Sequence, residues 1–176
     1  MSNQLVIAAL GQDRPGLVDK LSGWILDSGC NIADSRMMVL GGEFAVLLLV
    51  SGNWNSLAKL ETQLAQTEKQ LGMTISAKRT SKKEQRGNLL PYAVDVVALD
   101  HPGIVHSLAG FFSRRSINIQ DLSTSTYAAA HTGTMMFSVH MILDVPADTH
   151  IATLREEFLE FCDRLNLDAV IEPIKG

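Results

Sequence analysis

Residues 11–34, "GQDRPGLVDKLSGWILDSGCNIAD", return 87 positions later as residues 98–121, "ALDHPGIVHSLAGFFSRRSINIQD", with no gap between the two copies. Asp, Pro, Gly, Val, Leu, Gly, Asn, Ile and Asp recur at identical spacing. Self-similarity at a fixed period is the mark of a supersecondary unit used twice. The 176 residues therefore divide into two units, 1–80 and 90–176, joined by a linker at 81–89. The stretch "SAKRTSKKEQRGN", residues 76–88, fits that division, because it is polar, lacks an apolar period and reads as a strand end followed by a linker.

Working outward from the repeat, Leu5–Leu10 is a short apolar run before the turn and predicts a buried strand. Leu17, Leu21 and Ile25 fall four apart, with Val18 and Trp24 widening the stripe, which predicts an amphipathic helix ending near Gly29. Residues 32–40 and 44–50 read as two strands around a Gly41-Gly42 hairpin turn. Leu57, Leu60, Leu64 and Leu71 carry helical spacing after Asn53 or Asn55 as a cap, and residues 73–78 close the unit as a strand. The second copy repeats the order: a strand at 92–99, a helix face at Ile104, Leu108, Phe111 and Phe112, and a hairpin of 119–127 with 135–143. A second helix capped by Asp148 or Thr149 and a strand at 169–171 complete it. Gly42 and Gly133 are 91 apart rather than 87, which predicts four extra residues in the second hairpin. Each copy thus reads β-α-β-β-α-β. This is the α+β ferredoxin-like arrangement, a four-stranded antiparallel sheet with both helices on one face.

Several function classes are excluded or disfavoured. The net charge of −4 offers no general attraction for nucleic acid or anionic lipid. The longest purely apolar run, residues 44–50, is far shorter than a membrane-spanning helix requires. No secretory signal pattern is visible at the start. Cys30 and Cys162 form neither a disulfide framework nor a metal-binding spacing, which makes a reducing cytoplasm the expected location. His101 and His106 are misplaced for joint ligation from one helix face, and no nucleophile elbow or phosphate loop occurs. The expected protein is not an enzyme and needs no metal or cofactor. Lys78, Arg79, Lys82, Lys83 and Arg86, set against Glu84, form a basic run without interleaved aromatics, read as a solvated linker face rather than a nucleic-acid site.

The repeated polar positions are the candidate site. Asp13 can cap the helix or offer its carboxylate to an ammonium group, and Pro15 suits a first helical turn. Gly16 permits close approach of a ligand. Free amides at the helix start can receive a carboxylate, and Asn31 offers both a donor and an acceptor. An amino-acid head group needs both kinds of contact. Asp13, Pro15, Gly16 and Asn31, with Asp100, Pro102, Gly103 and Asn118 in the second copy, are the candidate ligand-binding residues. Structural duty alone, as caps and turn residues, remains the alternative. Copy two departs from copy one where Ala98 replaces Gly11, Leu99 replaces Gln12 and His101 replaces Arg14, which predicts a less open turn.

The segments "DRPGLVDKLSGWILDSGCNI" and "DHPGIVHSLAGFFSRRSINI" resemble ACT domains, small modules that sense amino acids in metabolic enzymes and stand-alone regulators. The resemblance covers nearly the whole chain. A bare tandem pair of this length is similar to ACT regulators that repress transcription of the glycine cleavage system. That resemblance implies a small amino acid as ligand, glycine first, and places its contacts at the loop acids Asp13 and Asp100 and at Asn31 and Asn118. It further implies action through a DNA-binding regulator protein rather than direct specific contact with nucleic acid, no membrane partner, and room for homo-oligomers. Two rivals stand beside it: a ligand-free ACT module that regulates a metabolic enzyme by docking, and a small-substrate enzyme of ferredoxin-like fold, disfavoured because the polar residues occupy turn-capping positions.

Overall fold

The computed structural model describes residues 3–81 and 87–174. The chain divides into two compact units, Met1–Glu84 and Gln85–Gly176. In the first, β1 (Asn3–Gln12), α1 (Leu17–Asp27), β2 (Asn31–Leu40), β3 (Glu43–Gly52), α2 (Trp54–Leu71) and β4 (Met73–Thr80) follow in order. The second repeats them as β5 (Leu89–Leu99), α3 (Ile104–Ser113), β6 (Asn118–Ala128), β7 (Met135–Pro146), α4 (Ile151–Arg164) and β8 (Asp168–Pro173). Each unit holds one four-stranded sheet, ordered β2-β3-β1-β4 and β6-β7-β5-β8, with every neighbouring pair antiparallel. Both units are therefore the ferredoxin-like fold expected of the repeat. Of the basic run, Lys82, Lys83, Glu84 and Arg86 lie outside the described residues. Lys78 and Arg79 belong to β4, and Arg79 forms a two-pronged ion pair with Glu61 of α2 at 2.8 and 2.7 Å.

Period-two alternation decides which sheet face meets the helices. In β1 the buried set is Leu5, Ile7 and Ala9, and in β3 it is Phe44, Val46, Leu48 and Val50. They pack against Leu17, Leu21 and Ile25 of α1 and Leu57, Leu60 and Leu71 of α2. In the second unit Val94, Val96, Ala98, Val139, Met141, Leu143 and Val145 meet Leu108, Phe111 and Phe112 of α3 and Leu154, Phe158 and Cys162 of α4. Burying one such large side chain is worth about 1.5–3 kcal/mol. Removing any of the fully buried leucines therefore weakens its unit more than a surface change can.

Chain reversals follow local chemistry, with two departures from the sequence expectation. Asn53 caps α2 by accepting from the Ser56 N–H at 2.8 Å. In α4 the cap is His150, whose ring nitrogen accepts from Thr153 N–H, rather than Asp148 or Thr149. Those two residues are used earlier, in a turn closed by Thr149 N–H to Pro146 C=O at 2.9 Å. The hairpin insertion is also larger than expected. Asn31 pairs with Ser51 while Asn118 pairs with Asp144, so the third strand is displaced by 93 positions where the first two are displaced by 87. Six residues, not four, are therefore added, and they lie between Leu40 and Glu43 of the first pattern. The glycine-to-glycine count missed two because Gly42 and Gly133 are not equivalent. Gly41, at φ 64°, makes the tight turn of the short hairpin, and Gly42 does not share its positive φ.

Gly16 and Gly103 are the N-caps of α1 and α3, at φ 89° and 95°. A methyl group added at either meets nothing within 4 Å, so backbone conformation, not space, demands glycine there. Gly23, inside α1, is equally open but has an ordinary helical backbone. Gly16→Ala is expected to destabilise the first unit by about 1–2 kcal/mol, and Gly23→Ala to stabilise it by roughly 0.5–1 kcal/mol. Thermal unfolding of the two variants measures opposite shifts in Tm.

Among the described residues no helix is long and apolar enough to cross a membrane. Both cysteines are free and buried. Burial raises the Cys30 thiol above its ordinary pKa and pushes Cys162 up to about 12. The thiolate is the reactive form, so a disulfide-exchange reagent at pH 8 should label neither thiol appreciably in the native protein and both after unfolding. Rapid native labelling of Cys162 would contradict the packing of α4.

Candidate functional site

The two repeated turns sit where the first strand of each unit hands over to its first helix. Asp13 N–H donates to Gly42 C=O and Asp100 N–H to Met135 C=O, each at 3.1 Å, so both turns are pinned to the neighbouring hairpin by their backbone. The side chain of Asp13 does not cap α1. The cap is Gly16, with no side-chain hydrogen bond, and the same holds for Gly103. Pro15 and Pro102 precede those caps and so lie just before the helix rather than in its first turn. The consequence is chemical. The start of α1 has no side-chain cap, and the exposed Asp13 lines the same hollow as the first residues of the helix. Residues 13–19 and the buried Phe44 ring enclose a hollow of about 380 Å³ here. The lining thus combines the carboxylates of Asp13 and Asp19 with the positive end of the helix dipole, groups that can meet the ammonium and the carboxylate of a zwitterion.

Residue 14 distinguishes the turns. The Arg14 guanidinium donates to the carbonyl of Leu71, one of the acceptors that the end of α2 leaves unused. The turn is thereby tied to the second helix. His101 reaches only the adjacent Pro102 carbonyl, at 3.1 Å, and makes no such tie. The exchange of Gly11 for Ala98 has another cause than openness. A methyl at Gly11 would stand 2.8 Å from Met73 Cγ and 3.0 Å from Gly72 O, so that glycine serves the packing of β1 on β4.

The sheet does not bring Asp13 and Asn31 to one place. Asn31 opens β2 opposite Ser51, which lies opposite Gln4, whereas Asp13 follows Gln12 at the other end of β1. Nine residue steps from Gln4 to Asp13, at about 3.3 Å each, put the two positions about 30 Å apart along the strand direction. The second unit repeats the separation, with Asn118 level with Pro91 and Asp100 beyond Leu99. The exposed Asn31 lines a different hollow, of about 320 Å³, bounded by α1 residues such as Ser22 and Leu26. The two asparagines also differ: the Asn118 amide donates to the Asp144 carboxylate at 3.1 Å, while the position equivalent to Asp144 is Ser51, whose hydroxyl reaches the Asn31 backbone carbonyl. Both strands carry a bulge just after the Asn-Ile pair, which explains the local repeat. Asp34 is occupied nearby, by Ser35 N–H and Arg36, each at 2.8 Å.

Sequence reasoning passed over Arg14, Phe44 and Asp144. Arg14 stood inside the repeat as a difference between copies. Phe44 and Asp144 become visible only once strand register is known. Among the described residues no group of three or more His, Cys, Asp or Glu side chains could hold a metal ion.

Comparison with known proteins places this geometry in a family. Residues 3–78 match the model of an ACT domain and residues 94–157 that of an AHAS small subunit-like ACT domain. Over 170 residues, 97% of this chain and 90% of the relative, the sequence is 31% identical to the glycine cleavage system transcriptional repressor of Escherichia coli (strain K12), and equally to that of Shigella flexneri. A solved structure provisionally assigned as such a repressor covers 100% of this chain and 99% of its own at 29% identity and a TM-score of 0.75. A Galdieria sulphuraria protein of unknown function reaches a TM-score of 0.79 at 25% identity, over 99% of this chain and 100% of its own. The chain belongs to the ACT-domain family, as a tandem pair of regulatory, non-catalytic units resembling the glycine cleavage system transcriptional repressor.

Proposed function

We propose that the protein is an amino-acid-responsive repressor of glycine cleavage system transcription, binding glycine and acting in the cytoplasm through a DNA-binding partner protein. The observation that carries the ligand reading is the first turn: an uncapped helix start beside the Asp13 carboxylate, in a hollow walled by Phe44. The ammonium group of the amino acid rests on Asp13 and its carboxylate on the opening amides of α1, with Gly16 and Pro15 fixing the approach. Asn31 cannot touch the same molecule within the same sheet. A ligand that uses both residues draws Asn31 from a second ACT sheet, supplied by another copy of the chain, and the edge position of β2 leaves Asn31 available for that. The first unit is the better binder, because Asn118 is held by Asp144 and the Asp100 turn lacks the arginine tie. The output is supported by the name and near full-length similarity of the Escherichia coli relative.

Calorimetric titration of the twenty amino acids tests the reading, with heat expected for glycine and few others. Heat from none would leave the ligand-free docking module in its place. Asp13→Ala should cost about tenfold to a hundredfold in affinity, the worth of one lost polar contact. Asp100→Ala should cost far less. Asn31→Ala should match Asp13→Ala only where binding also raises the oligomeric state in sedimentation, and should leave affinity unchanged in a monomeric complex.

The acidic chain alone should hold DNA weakly, with retention collapsing as salt rises. Tight, sequence-specific binding of an operator fragment by the isolated protein would remove the partner from the scheme.

A further inference from the structure

Each sheet has a second face, turned away from its helices, and the two units furnish it differently. In the first unit this face carries the residues that alternate with the buried set. Strand register arranges them in rows across the two central strands β3 and β1: Ala45 beside Leu10, then Leu47 beside Ala8, then Leu49 beside Val6. Level with the third row, Asp34 stands on the edge strand β2 and Lys78 on the edge strand β4. Leu10 and Leu47 are 51% and 52% exposed and project from the sheet. Between them a hollow of about 480 Å³ opens over the small residues Ala8 and Ala45. Met38 and Leu40 of β2, both exposed, extend the apolar area. A contiguous apolar face of this kind marks an interaction surface.

The pattern is complementary to itself. A two-fold axis parallel to the strands, midway between β3 and β1, lays this face on the same face of a second copy and exchanges the two central columns. Leu10 of one copy then meets Ala45 of the other, Leu47 meets Ala8, and Leu49 meets Val6. Projecting leucines enter hollows, and every contact occurs twice, as an isologous interface requires. The same operation exchanges the edge strands, so Asp34 of one copy faces Lys78 of the other. Within one sheet these two cannot pair, because β3 and β1 lie between them and hold them about 14 Å apart. Lys78 is exposed and has no ion-pair partner among the described residues. A face four strands wide and nine residues long measures roughly 19 by 27 Å. Two such faces bury on the order of 1,000 Å², the size at which a specific interface begins. Packed sheets keep their strands aligned to within about 30°, which an axis along the strands satisfies.

The second unit lacks this complementarity. Asp95 and His140, paired at 2.7 Å, stand where the first unit has Ala8 and Leu47. Asp121 and Glu172 stand where it has Asp34 and Lys78. The same two-fold would bury Asp95 at the centre and set Asp121 against Glu172, one carboxylate on another. Laid on the first unit's face, the second unit's would press Asp95 onto Leu47. We propose that the helix-free sheet face of the first unit is a homodimer interface, closed by the same face of a second copy with Leu10 on Ala45, Leu47 on Ala8 and Asp34 on Lys78. The axis keeps each residue at its own level along the strands, so Asp13 and Asn31 of the two copies remain at opposite ends. The dimer therefore forms without an amino acid and does not rest on the amino-acid reading.

Sedimentation equilibrium of the intact protein, without amino acids and over a range of concentrations, tests the interface, with a monomer–dimer equilibrium expected. Leu47→Asp, at an exposed position, should weaken the dimer at least a hundredfold, because it sets a carboxylate in the centre of the interface. An unchanged far-ultraviolet dichroism spectrum checks that the variant folds. Asp34→Lys sets a lysine opposite Lys78, and Lys78→Asp sets a carboxylate opposite Asp34. Each should weaken the dimer about tenfold, and the two changes made together should restore it. That rescue can come only from pairing between copies, since the two positions are out of reach within one sheet. Asp121→Lys, on the second unit, should leave the dimer unchanged. A monomer throughout the concentration range, a dimer that survives Leu47→Asp, or a double exchange no tighter than either single change overturns the proposal. Leu47→Asp should leave the heat of amino-acid binding as it is in the unaltered protein, so failure of the interface is distinguishable from failure of the ligand site.

Discussion

Each unit depends on one packing contact, the two central strands against a pair of helices on one face of the sheet. Leu5, Ile7, Val46, Leu48 and Val50 are almost wholly buried beneath Leu21, Ile25, Leu57 and Leu60. Because side chains alternate along a strand, this contact fixes the register of β1 and β3, and a slip of one residue would turn every apolar chain outward. The register in turn determines where each helix begins. Asp13 and Asp100 are held by a hairpin carbonyl at the level that the register sets, and the glycine caps follow three residues later. The candidate turns are therefore consequences of core packing.

Duplication then lets the two units diverge wherever the core does not require identity. Glycine persists at 16 and 103 because a left-handed backbone is needed at both. After the first helix the same need is met differently: Gly29 has φ 74°, and its counterpart Ser116 adopts φ 57°. At the turn, Arg14 ties the first copy to the end of α2, whereas His101 remains local. At the opening of the second strand, Asp144 engages Asn118 where Ser51 leaves the Asn31 side chain alone. Between the helices, four phenylalanines and two arginines close in the second unit what Trp24 and three glutamines leave open in the first. The differences at residue 14 and at the opening of the second strand are the ones on which the proposed preference for the first unit rests.

The sequence by itself determined the repeat, the order of elements and the ferredoxin-like class, because those rest on local periodicity and turn chemistry. Leu17, Leu21 and Ile25 announce α1, the alternation in 135–143 announces β7, and Asn53 announces the start of α2. It also named the turn residues Asp13, Pro15 and Gly16, since an exposed loop acid before a helix is readable without coordinates. Only the tertiary structure decided what those residues can reach. Asp13 and Asn31 are 18 positions apart in the chain but stand at opposite ends of a ten-residue strand, because α1 carries the chain back along the sheet. The hairpin insertion, counted from glycines, grew from four residues to six once the pairing of Asn118 with Asp144 was known. The indole N–H of Trp24, buried without a hydrogen-bond partner among the described residues, has no sequence signal at all: an aromatic residue on a helix stripe reads as core. Whether its N–H finds an acceptor depends on side chains from α2, some forty residues away, and on the packing that brings them there.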